Sequence, residues 1–331
     1  MTSSRSAPFE ESLMFNNDFR VKSALVLIIS RVLPSNHHQS HPEVAKSKAL
    51  LGIQRMQSLT ILKLGGSAIT DKARECTPDI PTIQRVADRL RDYDRPLILI
   101  HGGGSYAHPF VTESGLGKGL RHQSQLRSVS ETEFYLGQLT RIICASLLLR
   151  GKLPVPFHPI SFVTFDNGKV KRIMLDPIRK ALQSRLIPLL HGDLVFDESQ
   201  GIGVLSGDRI ASLVGQRLGA SRVLLGSDVD GVYSRNPKTF PSATLIAEVT
   251  SENFRSVLKA SGGPSGDATG GMGEKVRQAL QLAKNGCECY IFNLKEKNAL
   301  RRILEGDRIT GTRFVPWSGS RRSSRRSHRK V

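Results

Sequence analysis

Five short clusters join glycine to a charged or hydroxyl side chain, each beside an apolar segment. In chain order they are Lys63-Leu64-Gly65-Gly66-Ser67, then His101-Gly102-Gly103-Gly104-Ser105-Tyr106-Ala107-His108-Pro109, then Ser206-Gly207-Asp208. Ser227-Asp228-Val229-Asp230-Gly231-Val232-Tyr233 and Gly270-Gly271-Met272-Gly273-Glu274-Lys275 complete the set. Glycines without a Cβ let backbone N–H groups close on an anion. Lys63 ends an apolar stretch and aims a cation at the same place. The first cluster is not the G-x-x-x-x-G-K-[ST] loop of the common nucleotide triphosphatases. A lone Gly-Gly is most often an ordinary turn, and a lone histidine is most often structural. Two such cradles at neighbouring strand ends suit a phosphoryl donor and an acceptor held in line. His108 follows the second cradle closely enough to reach a bound phosphate. Lys275 sits on the first turns of a helix, where the backbone dipole favours anions.

The elements that must position these clusters alternate. Apolar runs predict strands over 59–64, 96–100, 154–157, 186–190, 222–225 and 288–293. Helical periodicity covers 81–92, 128–149, 208–218 and 272–285, and a hairpin over 161–175 turns at Asp166-Asn167-Gly168. Several strands are apolar on both faces, which argues for a largely parallel sheet with helices on both sides, a three-layer αβα sandwich. Ligands in such sheets sit beyond the carboxyl ends of the strands, where the glycine clusters fall. We expect a poorly ordered extension over 1–58, one catalytic α/β domain over 59–314 and a basic disordered tail over 315–331.

The chain carries a net charge of +19. Residues 1–58 hold seven Lys/Arg against four Asp/Glu, and residues 315–331 hold six against none, so +10 remains on the body. A positive body attracts phosphorylated ligands. The run Arg321-Arg322-Ser323-Ser324-Arg325-Arg326 has no interleaved aromatics, and no nucleic-acid-binding motif accompanies it, so no specific nucleic-acid partner is expected. Of Cys76, Cys144, Cys287 and Cys289, only the last two are close, with no second pair or nearby histidine to complete a zinc set. Reduced thiols follow, and no metal ligands are assigned. The apolar run Ala24 to Ile29 is far short of the about 20 residues that span a bilayer. Glu10, Glu11 and Asp18 disfavour a mitochondrial presequence, and a cytoplasmic location is expected.

Each cluster alone is weak, but their order and spacing resemble the amino acid kinase superfamily over roughly residues 59–314. That superfamily includes acetylglutamate kinase, aspartokinase, uridylate kinase, fosfomycin kinase and isopentenyl phosphate kinase. Gly-Gly-Gly-Ser-Tyr-Ala-His-Pro is similar to the Gly-Gly-Gly-Ser-Phe-Gly-His-Pro of the isopentenyl phosphate branch, with Tyr106 and Ala107 as the departures. His108 falls on that branch's substrate-phosphate histidine, which acetylglutamate kinases lack. Lys72 lies nine residues after Lys63, as in that branch, and Leu190-His191-Gly192-Asp193-Leu194-Val195 is similar to its strand-end Gly-Asp-Val-Val. Fosfomycin kinase shares much of the pattern.

The resemblance implies ATP-dependent conversion of isopentenyl phosphate to isopentenyl diphosphate, with Mg2+ as cofactor and a homodimer as the working state. It implies Lys63, Lys72, His108 and Lys275 as catalytic residues. Lys63, Gly65, Gly66, Ser67, Gly104, Asp228, Tyr233, Gly271 and Lys275 would hold the nucleotide. Gly103, Gly104, His108, Gly207 and Asp208 would hold the acceptor, Asp208 also orienting lysines or a hydrated magnesium ion. Phe134, Leu136, Leu139 and Ile143 are candidates for an apolar pocket, against ordinary core packing. The alternatives are another small-molecule kinase of the superfamily such as a fosfomycin kinase, or a non-catalytic protein that binds a phosphate ligand.

Overall fold

The computed structural model describes residues 59–237, 239–261 and 271–317. The expected extension over 1–58, Gly270 and the basic run from Arg321 lie outside them. Strand β1 (Thr60–Leu64) runs into the one-turn helix α1 (Gly66–Ile69). Helix α2 (Ile80–Leu90) starts at Asp79, whose carboxylate accepts from Thr82 N at 3.0 Å, with Pro81 in its first turn. Then come β2 (Leu97–His101), α3 (His108–Glu113), α4 (Leu126–Leu148), β3 (Pro154–Pro156), and the hairpin of β4 (Val163–Asp166) and β5 (Lys169–Ile173). They are followed by α5 (Asp176–Gln183), β6 (Ile187–His191), β7 (Asp193–Asp197), β8 (Gly201–Leu205), α6 (Gly207–Leu218) and β9 (Arg222–Ser227). The C-terminal part holds β10 (Glu248–Val249), α7 (Phe254–Ser261), α8 (Gly271–Lys284), β11 (Glu288–Asn293), α9 (Ala299–Glu305) and β12 (Gly311–Phe314).

The main sheet has the order β10-β12-β11-β9-β1-β2-β6-β3, parallel from β11 to β3 and closed by β12 running antiparallel to β11. Alternation along the strands explains the three layers. Leu62, Leu64, Leu97, Leu99 and Leu224 face one core, shared with Ile83 and Val86 of α2, Leu139 and Ile143 of α4 and Ile303 of α9. Ile61, Ile98, Ile100, Val223 and Leu225 face the other, shared with Ile210 and Val214 of α6 and Val276 and Ala279 of α8. The expected largely parallel αβα sandwich is what forms.

A second sheet, β5-β4-β7-β8, stands beside the first. Its β4–β5 hairpin matches the one expected, and Asn167 and Gly168 take the positive φ of a two-residue turn, +50° and +70°. β7–β8, β10, α7, α9 and β12 are short or polar and were not expected from the sequence pattern. Asp197, at the end of β7, accepts from Asn167 N, Gly168 N, Ser199 N and Gln200 N, tying both hairpin turns to one carboxylate. The packed chain continues past 314: Val315 N donates to Val249 O and Trp317 N to Ala283 O. All four cysteines are free, and Cys287 and Cys289 are buried.

Candidate active site

β1, β2, β6 and β9 end on one side of the sheet; the first, second and fourth clusters follow β1, β2 and β9, and Gly192 after β6 lies against Gly207, whose N a Cβ there would meet at 2.6 Å. The first two interlock. A Cβ on Gly66 would lie 2.4 Å from Gly104 N, and one on Gly102 would lie 2.6 Å from Gly66 N. Gly104 also has a φ of +51°, and its Cβ would meet Thr70 Oγ1 at 2.1 Å. The glycines are thus demanded first by each other, and this close approach makes two anion cradles neighbours. Thr70 locks the junction by donating to Gly66 O at 2.8 Å and accepting from Ser105 N at 3.1 Å. Among the described residues, the N–H groups of Gly66, Ser67, Gly103 and Gly104 meet no acceptor. They form a ready set of donors for phosphate oxygens.

Lys63 sits at the carboxyl end of β1, on the strand face that looks toward α6 and α8. Asp208 stands in the first turn of α6, which Ser206 caps by accepting from Arg209 N at 3.2 Å. Lys275 stands in the first turns of α8. Lys63 Nζ lies 2.9 Å from Asp208 Oδ1, and Lys275 Nζ lies 2.8 Å from Asp208 Oδ2. Three charges spread over 212 positions of sequence therefore meet as one buried group of net charge +1. Burial pulls the Lys63 ammonium down to about 8, although the Asp208 charge opposes the shift. Burial also works against the Asp208 charge, but Lys275 and Lys63 outweigh it and hold this carboxyl well below the usual range. The group can stabilise added negative charge without deprotonating anything.

A second aspartate organises the opposite wall. Asp228 Oδ1 accepts from Ser67 Oγ at 2.8 Å, and Asp228 Oδ2 accepts from Lys72 Nζ at 2.9 Å. Tyr233 donates its hydroxyl to Asp230 at 3.0 Å, and Asn293 donates to the other oxygen of Asp230 at 3.0 Å. A cavity of about 980 Å³ joins both walls. Every sequence-assigned site residue lines it: Lys63, Gly65, Gly66, Ser67, Lys72, Gly103, Gly104, His108, Gly207, Asp208, Asp228, Tyr233, Gly271 and Lys275.

The expected apolar pocket is corrected in part. Leu136 lines the cavity, but Phe134 is exposed on the far side of α4, and Leu139 and Ile143 are packed in the sheet core. The apolar end is instead made by Leu136 with Val111, Leu194, Val204 and Leu205.

The family model of the amino acid kinases matches residues 58–293, a span that holds every cluster above. The chain belongs to the amino acid kinase family. Among the members it resembles, an isopentenyl phosphate kinase of Methanothermobacter thermautotrophicus is 34% identical over 265 residues, 78% of this chain and 99% of that protein. One of Methanocaldococcus jannaschii is 31% identical over 270 residues, 77% of this chain and 97% of that protein. A solved X-ray structure of isopentenyl phosphate kinase overlays with a TM-score of 0.69 at 32% identity, across 78% of this chain and all of that one. The family's glycine clusters announced the polar floor of this amino acid kinase, but not its walls. Arg235 and Asn236 beside Tyr233, and Asp193 at the head of β7, line the cavity and were not assigned from sequence. Asp193 had a signal, since Gly192-Asp193 follows a buried strand as Gly207-Asp208 does.

Proposed function

We propose that this amino acid kinase transfers the γ-phosphoryl group of ATP to isopentenyl phosphate, giving isopentenyl diphosphate and ADP. The observation that carries the reading is the buried Lys63–Asp208–Lys275 group. It stands next to two interlocked cradles, with His108 and an apolar chamber at one end of the same cavity.

The acceptor is already an anionic phosphate, so its oxygen attacks without a general base. The new bond forms between that oxygen and the γ-phosphorus, and the bond from the γ-phosphorus to the ADP oxygen breaks. Catalysis then consists of alignment and charge stabilisation. Gly65, Gly66, Ser67, Asp228, Tyr233 and Gly271 line the nucleotide side, with Lys72 toward the γ-phosphate. Gly103, Gly104, His108 and Gly207 hold the acceptor phosphate. Lys63 and Lys275 meet the charge on the group in transit, and Asp208 keeps both ammoniums in place.

Magnesium fits this set as a companion of ATP. Asp208 Oδ1 is buried and, although close to Lys63, receives no aligned hydrogen bond. Among the described residues no group of three or more His, Cys, Asp or Glu gathers to hold a resident metal. Mg2+ takes one or two carboxylates beside phosphate oxygens, a role open to Asp208 and Asp228, and there it would neutralise donor charge. The free thiols suit a cytoplasmic setting. No helix among the described residues is long and apolar enough to cross a membrane. A homodimer through α4 is supported by Phe134 and Leu148 exposed along it and by Leu149 and Leu153 exposed just beyond it. A dimer mass in light scattering tests that pairing.

The testing experiment is a panel of acceptors with ATP: isopentenyl phosphate, dimethylallyl phosphate, fosfomycin, acetylglutamate and UMP. Isopentenyl phosphate should turn over well above the others, and His108→Ala should raise its KM most. Preference for fosfomycin, acetylglutamate or UMP overturns the assignment of substrate.

A further inference from the structure

One half-buried acidic group has no part in this phosphoryl transfer. Glu133 lies on α4 between Thr132 and Leu136, which line the cavity, and its Oε1 is buried with no donor facing it. It meets Asp193, which is buried at the head of β7 and lines the acceptor end. The Asp193 oxygens are already committed, Oδ2 to Ile160 N at 2.9 Å and Oδ1 to Leu194 N at 2.9 Å. Two carboxyls in contact, one buried and the other half-buried, do not both ionise, so one carries a proton and donates it to the other.

We propose that Glu133 and Asp193 share a single proton that fastens α4 to β7, so that Glu133 is a positioning residue setting the width of the acceptor chamber. The two elements bring opposite walls, Thr132 and Leu136 from α4 and Leu194 from β7. Burial, then contact with Asp193, pushes the Glu133 carboxyl up, and burial pushes Asp193 up as well, so the pair keeps one proton at neutral pH.

The other groups facing the pair are His191 at the end of β6, His158 on the loop after β3, and Arg141 further along α4, which bears on His158. His158 Nδ1 and His191 Nε2 lie 3.1 Å apart, and His191 Nδ1 lies 3.2 Å from Gly192 O. With both rings held neutral by burial, His158 donates to His191 and His191 donates to Gly192, so neither ring competes for the shared proton.

This inference rests on the acceptor reading above, and the test has an arm that does not. Glu133→Gln keeps a permanent donor to Asp193, and Glu133→Ala removes it. Between neutral pH and pH ~10, the KM for isopentenyl phosphate should rise about tenfold in the wild type, the scale of one buried charged hydrogen bond. In Glu133→Gln it should stay flat, and in Glu133→Ala it should be high throughout.

The second arm needs no substrate. A carboxyl raised from 4.5 to about 9 on folding stabilises the fold fully below 4.5 and loses that contribution as pH rises to about 9. The unfolding temperature of Glu133→Gln should therefore pull ahead of wild type across that window and run parallel above it. In the wild type an infrared carbonyl band of a protonated carboxyl should persist at neutral pH and vanish above about pH 9. Parallel stability curves, or no such band in the wild type, overturn the proposal. A flat wild-type KM with the stability and infrared results intact overturns only the chamber role.

Discussion

Two aspartates in this molecule do the same thing in different surroundings. Asp208 bridges Lys63 and Lys275, and Asp228 bridges Ser67 and Lys72, at contact distances of 2.8–2.9 Å in every case. In the first group the side chains are 7%, 14% and 10% exposed. In the second, Lys72 is 65% and Asp228 30% exposed. Contact length alone would call them equal. Solvent access separates them, because water and salt screen the outer pair while the inner group acts in a low dielectric. The inner group holds its three charges together away from solvent, whereas the outer pair stands where water and salt reach it.

The comparison breaks if the inner lysines prove dispensable. Lys63→Ala and Lys275→Ala should each lower kcat on the order of 10²-fold or more, measured with both substrates saturating. Next in size is a pH effect confined to the inner group. Lys63 in the free protein loses its proton around pH 8, so kcat/KM for ATP should fall as pH rises through about 8. The limb should move to higher pH in kcat, because bound phosphates favour the ammonium. A limb unchanged in Lys63→Arg, which stays charged, would assign the titration to another group. Lys72→Ala should have the smallest effect, a loss of about tenfold or less in kcat/KM for ATP, since an exposed pair is worth roughly 0–1 kcal/mol. Added salt should shrink that loss and leave the Lys63→Ala defect as it is. Equal defects at Lys63 and Lys72 would remove the distinction drawn here.

Much of this was readable before folding. Buried strands announce themselves as runs such as Leu97 to Ile100, and glycines at strand ends mark where the backbone must come close. What the sequence hides is pairing over distance. Ser67 and Asp228 are 161 residues apart, and nothing local says that a hydroxyl and a carboxylate will meet. On α4 the core-packing alternative holds for Leu139 and Ile143, and only Phe134 fits neither expectation, for a related reason. Phe134 and Leu136 are two positions apart, about 200° around a helix, so they cannot share a face. Leu136, Leu139 and Ile143 do share one, but the chain alone does not say where along that face core gives way to cavity. The same geometry puts Glu133 near Leu136, and an acid on an apolar face was a signal. The β7–β8 hairpin was missed because its polar turn and its Asp197 anchor resemble surface loop until both hairpins are seen leaning on one carboxylate.

The interlocked glycines have a bearing on how such a chain can change over time. Gly66, Gly102 and Gly104 each fill the space that a neighbour's Cβ would need, so no single replacement among them can be absorbed by moving a side chain. Any substitution pushes backbone against backbone and parts the two cradles. A side chain at any one of these three positions should therefore disturb both cradles at once, whichever cradle the position belongs to.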